Sequence, residues 1–197
     1  MTETDYGWFF DGPSTEDALI FYPGAKVEET AYAPLLHLLA AKGMDVCLVR
    51  MPFRLAFFGM NKADGILSSY AYDRWYIGGH SLGGAMAASY AAEHDGLAGV
   101  ILCAAYPTKQ LDEEDLELVI CGSEDGVLNR DKLMDGRQYS SGNTAEYEIA
   151  GENHAQFGDY GVQAGDGEAV ISAMEQQALT AAFIMEAAFE RAEREGI

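Results

Sequence analysis

Mostly apolar residues come in short runs along the chain: Ala18-Leu-Ile-Phe-Tyr22, Asp45-Val-Cys-Leu-Val49, Arg74-Trp-Tyr-Ile77, Gly99-Val-Ile-Leu-Cys103 and Leu116-Glu-Leu-Val-Ile-Cys121. Runs of this length, apolar on both faces of an extended chain, predict strands of a parallel sheet covered on both sides. Ala145-Glu-Tyr-Glu-Ile149 predicts a last strand. Helical patterns fall between them: Thr30 to Ala41 (Thr30 as cap, Gly43 as terminator), Lys62 to Tyr70, Leu82 to Glu93, Asn129 to Asp135 and a long Glu168 to Arg194. In the last, Val170, Met174, Ala178, Ala181, Met185 and Phe189 recur at a three-to-four spacing and predict one core-facing stripe. The aromatic segment Met51 to Gly59 fits neither period. Strand–helix alternation predicts an α/β protein, a three-layer α/β/α sandwich around a mostly parallel, doubly wound sheet. Without a linker or internal repeat, residues 1–197 read as a single domain.

Charge narrows the partners. Lys and Arg number 12 against 32 Asp and Glu, a formal net charge of −20, so a surface for nucleic acid or anionic membrane is not expected. Met1-Thr-Glu-Thr-Asp-Tyr6 has neither a basic nor an apolar region of a signal peptide. No run approaches the roughly 18 to 20 apolar residues of a membrane span, and the expected setting is cytoplasmic. Cys47, Cys103 and Cys121 fall in predicted buried strands without metal-like spacing, which predicts reduced structural thiols and no zinc.

The chemistry gathers around Gly78-Gly-His-Ser-Leu-Gly-Gly84, which follows a predicted strand and precedes a predicted helix. Gly79-His80-Ser81-Leu82-Gly83 fits G-x-S-x-G, in which a sharp turn lifts a serine above the sheet and flanking glycines remove clashing Cβ atoms. A tight Gly-rich turn is the plain alternative; a phosphate loop lacks its G-x-G-x-x-G or G-x-x-x-x-G-K-[ST] pattern. A serine hydroxyl needs a base, and the base needs an orienting acid. His37 lies within the first helix. His80 adjoins the serine but is expected to point away from its Oγ, as a bystander. His94 ends the helix begun at Leu82, nearly 20 Å away at about 1.5 Å per residue. His154 remains, in the loop after the last strand, where open parallel sheets place their sites. Cys121-Gly-Ser-Glu-Asp-Gly126 closes another strand with two carboxylates; Asp125, short and followed by glycine, is preferred, with Glu124 the alternative. For an oxyanion hole, the expected donors are the backbone N–H groups of Leu82 and, from the loop after the first strand, Ala25.

With Phe21-Tyr-Pro-Gly-Ala25, Gly78 to Gly84, Gly122-Ser-Glu-Asp125 and Gly151-Glu-Asn-His154 on one chain, the sequence resembles the α/β-hydrolases. It is most similar to small serine hydrolases of the dienelactone-hydrolase-like branch. The resemblance implies a minimal α/β-hydrolase fold without a large cap and no cofactor or metal. The implied reaction is hydrolysis of a small or medium carboxylic ester through an acyl-enzyme. Ser81 would be nucleophile, His154 general base and acid, and Asp125 the orienting carboxylate. Dienelactone hydrolases carry cysteine where Ser81 stands, so that substrate is not implied. An acyltransferase, a thioesterase or a lipase would use the same triad, and a silent binding protein of this fold is the non-enzymatic alternative. Lys26, Phe53, Phe57, Tyr106 and Gln156 are the candidate pocket residues. Whether the acidic residues Asp159, Asp166 and Glu168 hold an ion stays open, as does the oligomeric state.

Overall fold

A computed structural model describes residues 1–13 and 16–196. Eight strands form one sheet in the order β1-β2-β4-β3-β5-β6-β7-β8. Six of them are parallel: β3 (Asp17–Tyr22), β4 (Met44–Val49), β5 (Arg74–His80), β6 (Gly99–Cys103), β7 (Leu116–Gly122) and β8 (Asn143–Ile149). The expected doubly wound sheet is thus present. An N-terminal hairpin that the apolar pattern had not revealed, β1 (Thr2–Thr4) and β2 (Gly7–Phe10), adds an antiparallel edge against β4.

Alternate residues of each central strand feed different cores. Ala18, Ile20 and Tyr22 of β3 pack with α2 (Lys62–Leu67), α3 (Leu82–Ala91) and α4 (Arg130–Gly136). Leu19 and Phe21 pack with α1 (Ala33–Ala41) and α5 (Ala173–Glu195) on the other face. This two-sided burial explains why the strands read as near-continuous apolar runs rather than alternating ones. The three cysteines are free and buried in β4, β6 and β7. Among the described residues, no helix is long and apolar enough to cross a membrane.

Three helical expectations shift. Thr30 is not a helix cap: a 3₁₀ turn over Glu29–Tyr32 leads into α1, whose Pro34 sits in the first turn, where its missing N–H costs nothing. Helix α5 begins at Ala173, capped by the Ser172 side chain, so Val170 precedes it. Its buried stripe is also rotated from the expected one. Met174 and Phe189 are exposed, whereas Gln176, Gln177, Thr180, Ala181, Ile184, Ala187 and Ala188 face inward. The N-terminal half of that face is polar because it meets a polar loop, and the apolar pattern does not register it.

Candidate active site

The carboxyl ends of β3, β5, β7 and β8 deliver the four loops expected to carry chemistry. At the end of β5, Ser81 adopts φ 54°, ψ −122°, a backbone conformation L-residues avoid. It is held there by its N–H donating to the Cys103 carbonyl at 2.9 Å and by α3, which starts at the next residue. The flanking glycines make the turn sterically possible. Cβ atoms on Gly79 and Gly83 would lie 2.3 and 2.2 Å from the Tyr22 carbonyl oxygen.

His154 and Asp125 are buried and joined, with His154 Nδ1 2.8 Å from Asp125 Oδ2. The other oxygen, Oδ1, accepts from the N–H groups of Val127 at 2.9 Å and Leu128 at 2.8 Å. Burial pushes the Asp125 carboxyl upward, but the imidazole and these two N–H groups outweigh it and hold the group below the usual aspartate value. An ionised carboxylate only accepts, so Nδ1 of His154 donates in this pair, and in a neutral imidazole with that tautomer Nε2 is the acceptor. That Nε2 is buried, without a hydrogen-bond partner among the described residues. Glu124, the alternative acid, is exposed, and its side chain accepts from the Ser123 hydroxyl instead.

Ser81 and His154 line one cavity of about 270 Å³, together with Leu82, Ala104, Tyr106, Leu128 and others. Of the expected pocket residues, only Tyr106 lies there. Phe53 and Phe57 are exposed at 83% and 68% and cluster with Phe58 on the segment after β4. Lys26 is exposed at the tip of the β3 loop, its backbone N–H bound to the Arg54 carbonyl at 2.8 Å. Gln156 lines a separate hollow of about 580 Å³ on the histidine loop, which includes neither Ser81 nor His154. Among the described residues, no group of three or more His, Cys, Asp or Glu side chains is placed to share an ion.

His80 is not the bystander its position implied. Its buried ring lies 4.4 Å from the His154 ring, and its Nδ1 is 2.8 Å from the Tyr32 hydroxyl. That hydroxyl also accepts from the Gly24 N–H at 2.9 Å, so one phenol joins the β3 loop to the imidazole. Burial, reinforced by the neighbouring His154, depresses the His80 pKa well below 6.5 and keeps the ring neutral. Tyr32 lies just ahead of α1, and no motif signalled it. It therefore ties the β3 loop to the elbow.

Similar architecture recurs in solved structures of low sequence identity. Est1E from Butyrivibrio proteoclasticus superposes with a TM-score of 0.67 at 14% identity, covering 91% of this chain and 93% of that one. Dienelactone hydrolase from Anabaena variabilis gives 0.65 at 14% identity over 90% and 89% of the two chains. Zea mays acyl-protein thioesterase 2 gives 0.65 at 12% identity over 91% and 97%. A search of curated protein sequences finds no match. The profile of the alpha/beta hydrolase family matches residues 18–178, most of the chain and all four site loops. On that match, and with the parallel sheet and serine elbow described above, the chain belongs to the alpha/beta hydrolase family.

Proposed function

We propose that the protein is a serine hydrolase that cleaves small carboxylic esters through an acyl-enzyme on Ser81. The observation that carries this reading is the hydrogen bond from His154 to the buried Asp125, beside a strained Ser81 in the same cavity. Ser81 Oγ attacks the ester carbonyl carbon while Nε2 of His154 takes its proton, and Asp125 stabilises the resulting imidazolium. The carbonyl oxygen becomes an oxyanion that accepts hydrogen bonds from the backbone N–H groups of Leu82 and Ala25. Leu82 is the first residue of α3, where backbone N–H groups lack intrahelical acceptors. On the β3 loop, Tyr32 occupies the Gly24 N–H and Arg54 the Lys26 N–H, which leaves the intervening Ala25 N–H for substrate. Collapse of the intermediate breaks the C–O bond, and His154 returns the proton to the departing alcohol. Water then attacks the acyl-serine by the same steps.

The cavity's size supports a small substrate, since about 270 Å³ lies below the roughly 300–1,000 Å³ typical of drug-sized ligands. A thioester would follow the same steps, and the maize neighbour is named as an acyl-protein thioesterase. The test is hydrolysis of p-nitrophenyl esters of graded chain length. Acetate to butyrate should be preferred over longer chains, and Ser81→Ala should lose turnover with its fold intact. Full activity in that variant would exclude the mechanism.

A further inference from the structure

Fourteen residues separate the short 3₁₀ turn Ala155–Phe157 from the Ser172 cap of α5, and in the middle of them stands Gly165-Asp166-Gly167. As sequence, Asp166 is one of several acidic residues. In the fold, its carboxylate spans the two loops that carry Asp125 and His154. Oδ1 accepts from the N–H of Gly126 at 3.1 Å, of His154 at 3.2 Å and of its own neighbour Gly167 at 2.9 Å. Oδ2 accepts from the N–H of Ala155 at 2.8 Å. One side chain thus binds the residue after Asp125, the backbone of His154 itself and the residue after it.

The surrounding backbone is shaped to this contact. A Cβ on Gly167 would stand 2.1 Å from the Glu124 carbonyl oxygen, and one on Gly126 would stand 2.5 Å from the Gly165 carbonyl oxygen. The strap therefore lies directly on the acid loop, with no room for a side chain between them. The Asn153 side chain closes the other side by donating to the Gly167 carbonyl at 2.9 Å. Both carboxylate oxygens accept from backbone N–H groups of the protein's own loops.

We propose that Asp166 is a positioning residue, whose carboxylate sets the distance and angle between Asp125 and His154 by clamping their two loops. The proposal rests on the reading of Ser81, Asp125 and His154 as the reacting set. Charge-assisted bonds to backbone N–H groups are the stronger class of hydrogen bond. A small displacement of a base from its nucleophile lowers turnover far more than it lowers substrate binding.

The experiment compares Asp166→Ala, Asp166→Asn and Gly167→Ala with wild type and with Ser81→Ala. Ester kinetics, fluorophosphonate labelling rate and circular dichroism are measured at a temperature where each variant is folded. Asp166→Ala should lower kcat by roughly 30- to 100-fold with KM within about threefold, and slow labelling in proportion. Asp166→Asn keeps an acceptor for three of the donors but sets an amide against the Ala155 N–H, so its loss should be intermediate, about fivefold. Gly167→Ala keeps the carboxylate but lifts the strap, and should resemble Asp166→Ala. A kcat within threefold of wild type in folded Asp166→Ala, or a change confined to KM, overturns the proposal. Should that variant not fold, Asp166→Asn decides: reduced kcat at constant KM supports the clamp, and wild-type kcat overturns it. If Ser81→Ala keeps its turnover, the reaction reading itself has failed. If Ser81→Ala is dead and the Asp166 variants are unimpaired, only the clamp has failed.

Discussion

Replacing Glu152 by glutamine should flatten the alkaline side of the stability–pH curve. Glu152 lies fully buried two residues before His154. Its Oε1 is 3.3 Å from the Thr180 hydroxyl, and its Oε2 is buried without a partner among the described residues. The Thr180 hydroxyl proton is already directed to the Gln176 carbonyl at 2.9 Å, so a protonated carboxyl suits this site better than a carboxylate. Burial raises the Glu152 pKa from 4.5 to about 8, with the Asp125 charge adding to it against the opposing contacts of Thr180 and Gln176. Between those values the folded protein keeps a proton that the unfolded chain has lost, so stability falls as pH rises. Below 4.5 both states are protonated and the penalty vanishes; above 8 both are ionised and it is fully present. At ~1.4 kcal/mol per pH unit, the span from 4.5 to about 8 corresponds to at most roughly 5 kcal/mol. Urea titrations of wild type and Glu152→Gln from pH 5 to 9 cancel the contributions of groups common to both. The variant should gain about 3–5 kcal/mol relative to wild type across that range. Curves that stay parallel within about 1 kcal/mol would refute the buried, protonated carboxyl.

Tyr32→Phe removes the acceptor of the Gly24 N–H and the hydroxyl partner of His80 Nδ1. It should cost ~1–3 kcal/mol in urea unfolding and lower kcat by about tenfold or more through a loosened oxyanion loop. On the acid side, His80 is held neutral when folded, so stability should decline as pH falls below the unfolded histidine value of about 6.5. A His80→Asn variant, followed by the same denaturation, should lose that decline. Along α5, Ile184 is fully buried and Met174 is 78% exposed. Ile184→Ala should therefore destabilise by about 2–4 kcal/mol and Met174→Ala by no more than ~0.5 kcal/mol.

The legible parts of this protein were those governed by apolar pattern and local sterics. Five central strands announce themselves because both faces of each are buried, and the elbow does so because its glycines have a steric cause. Asp125 and His154 were reachable by topology: both follow strands and sit at the edge where loops converge. What escaped depends on pairings far apart in sequence. The edge hairpin Thr2–Phe10 is short and defined by its partner β4 rather than by its own residues. The buried face of α5 carries Gln176, Gln177 and Thr180, tolerated because Gln176 exchanges two hydrogen bonds with the backbone of Asn153 and Gln177 donates to the Gln156 carbonyl. Polar residues at helical spacing look like a solvated face until their partners are known. Asp166 and Tyr32 escaped for the same reason, since a carboxylate or phenol acting on backbone groups leaves no motif. The aromatics Phe53 and Phe57 show a different limit of apolar pattern. Hydrophobic type suits pocket lining and core equally, and the chain leaves both side chains on the surface.

The account stands or falls on whether His154 activates Ser81. Labelling with a fluorophosphonate probe, followed by peptide mass spectrometry, reads this without knowledge of the natural substrate. One adduct is predicted, on Ser81, forming at a rate that drops by several orders of magnitude in His154→Ala. An adduct on another residue, or undiminished labelling in His154→Ala, would contradict the assignment.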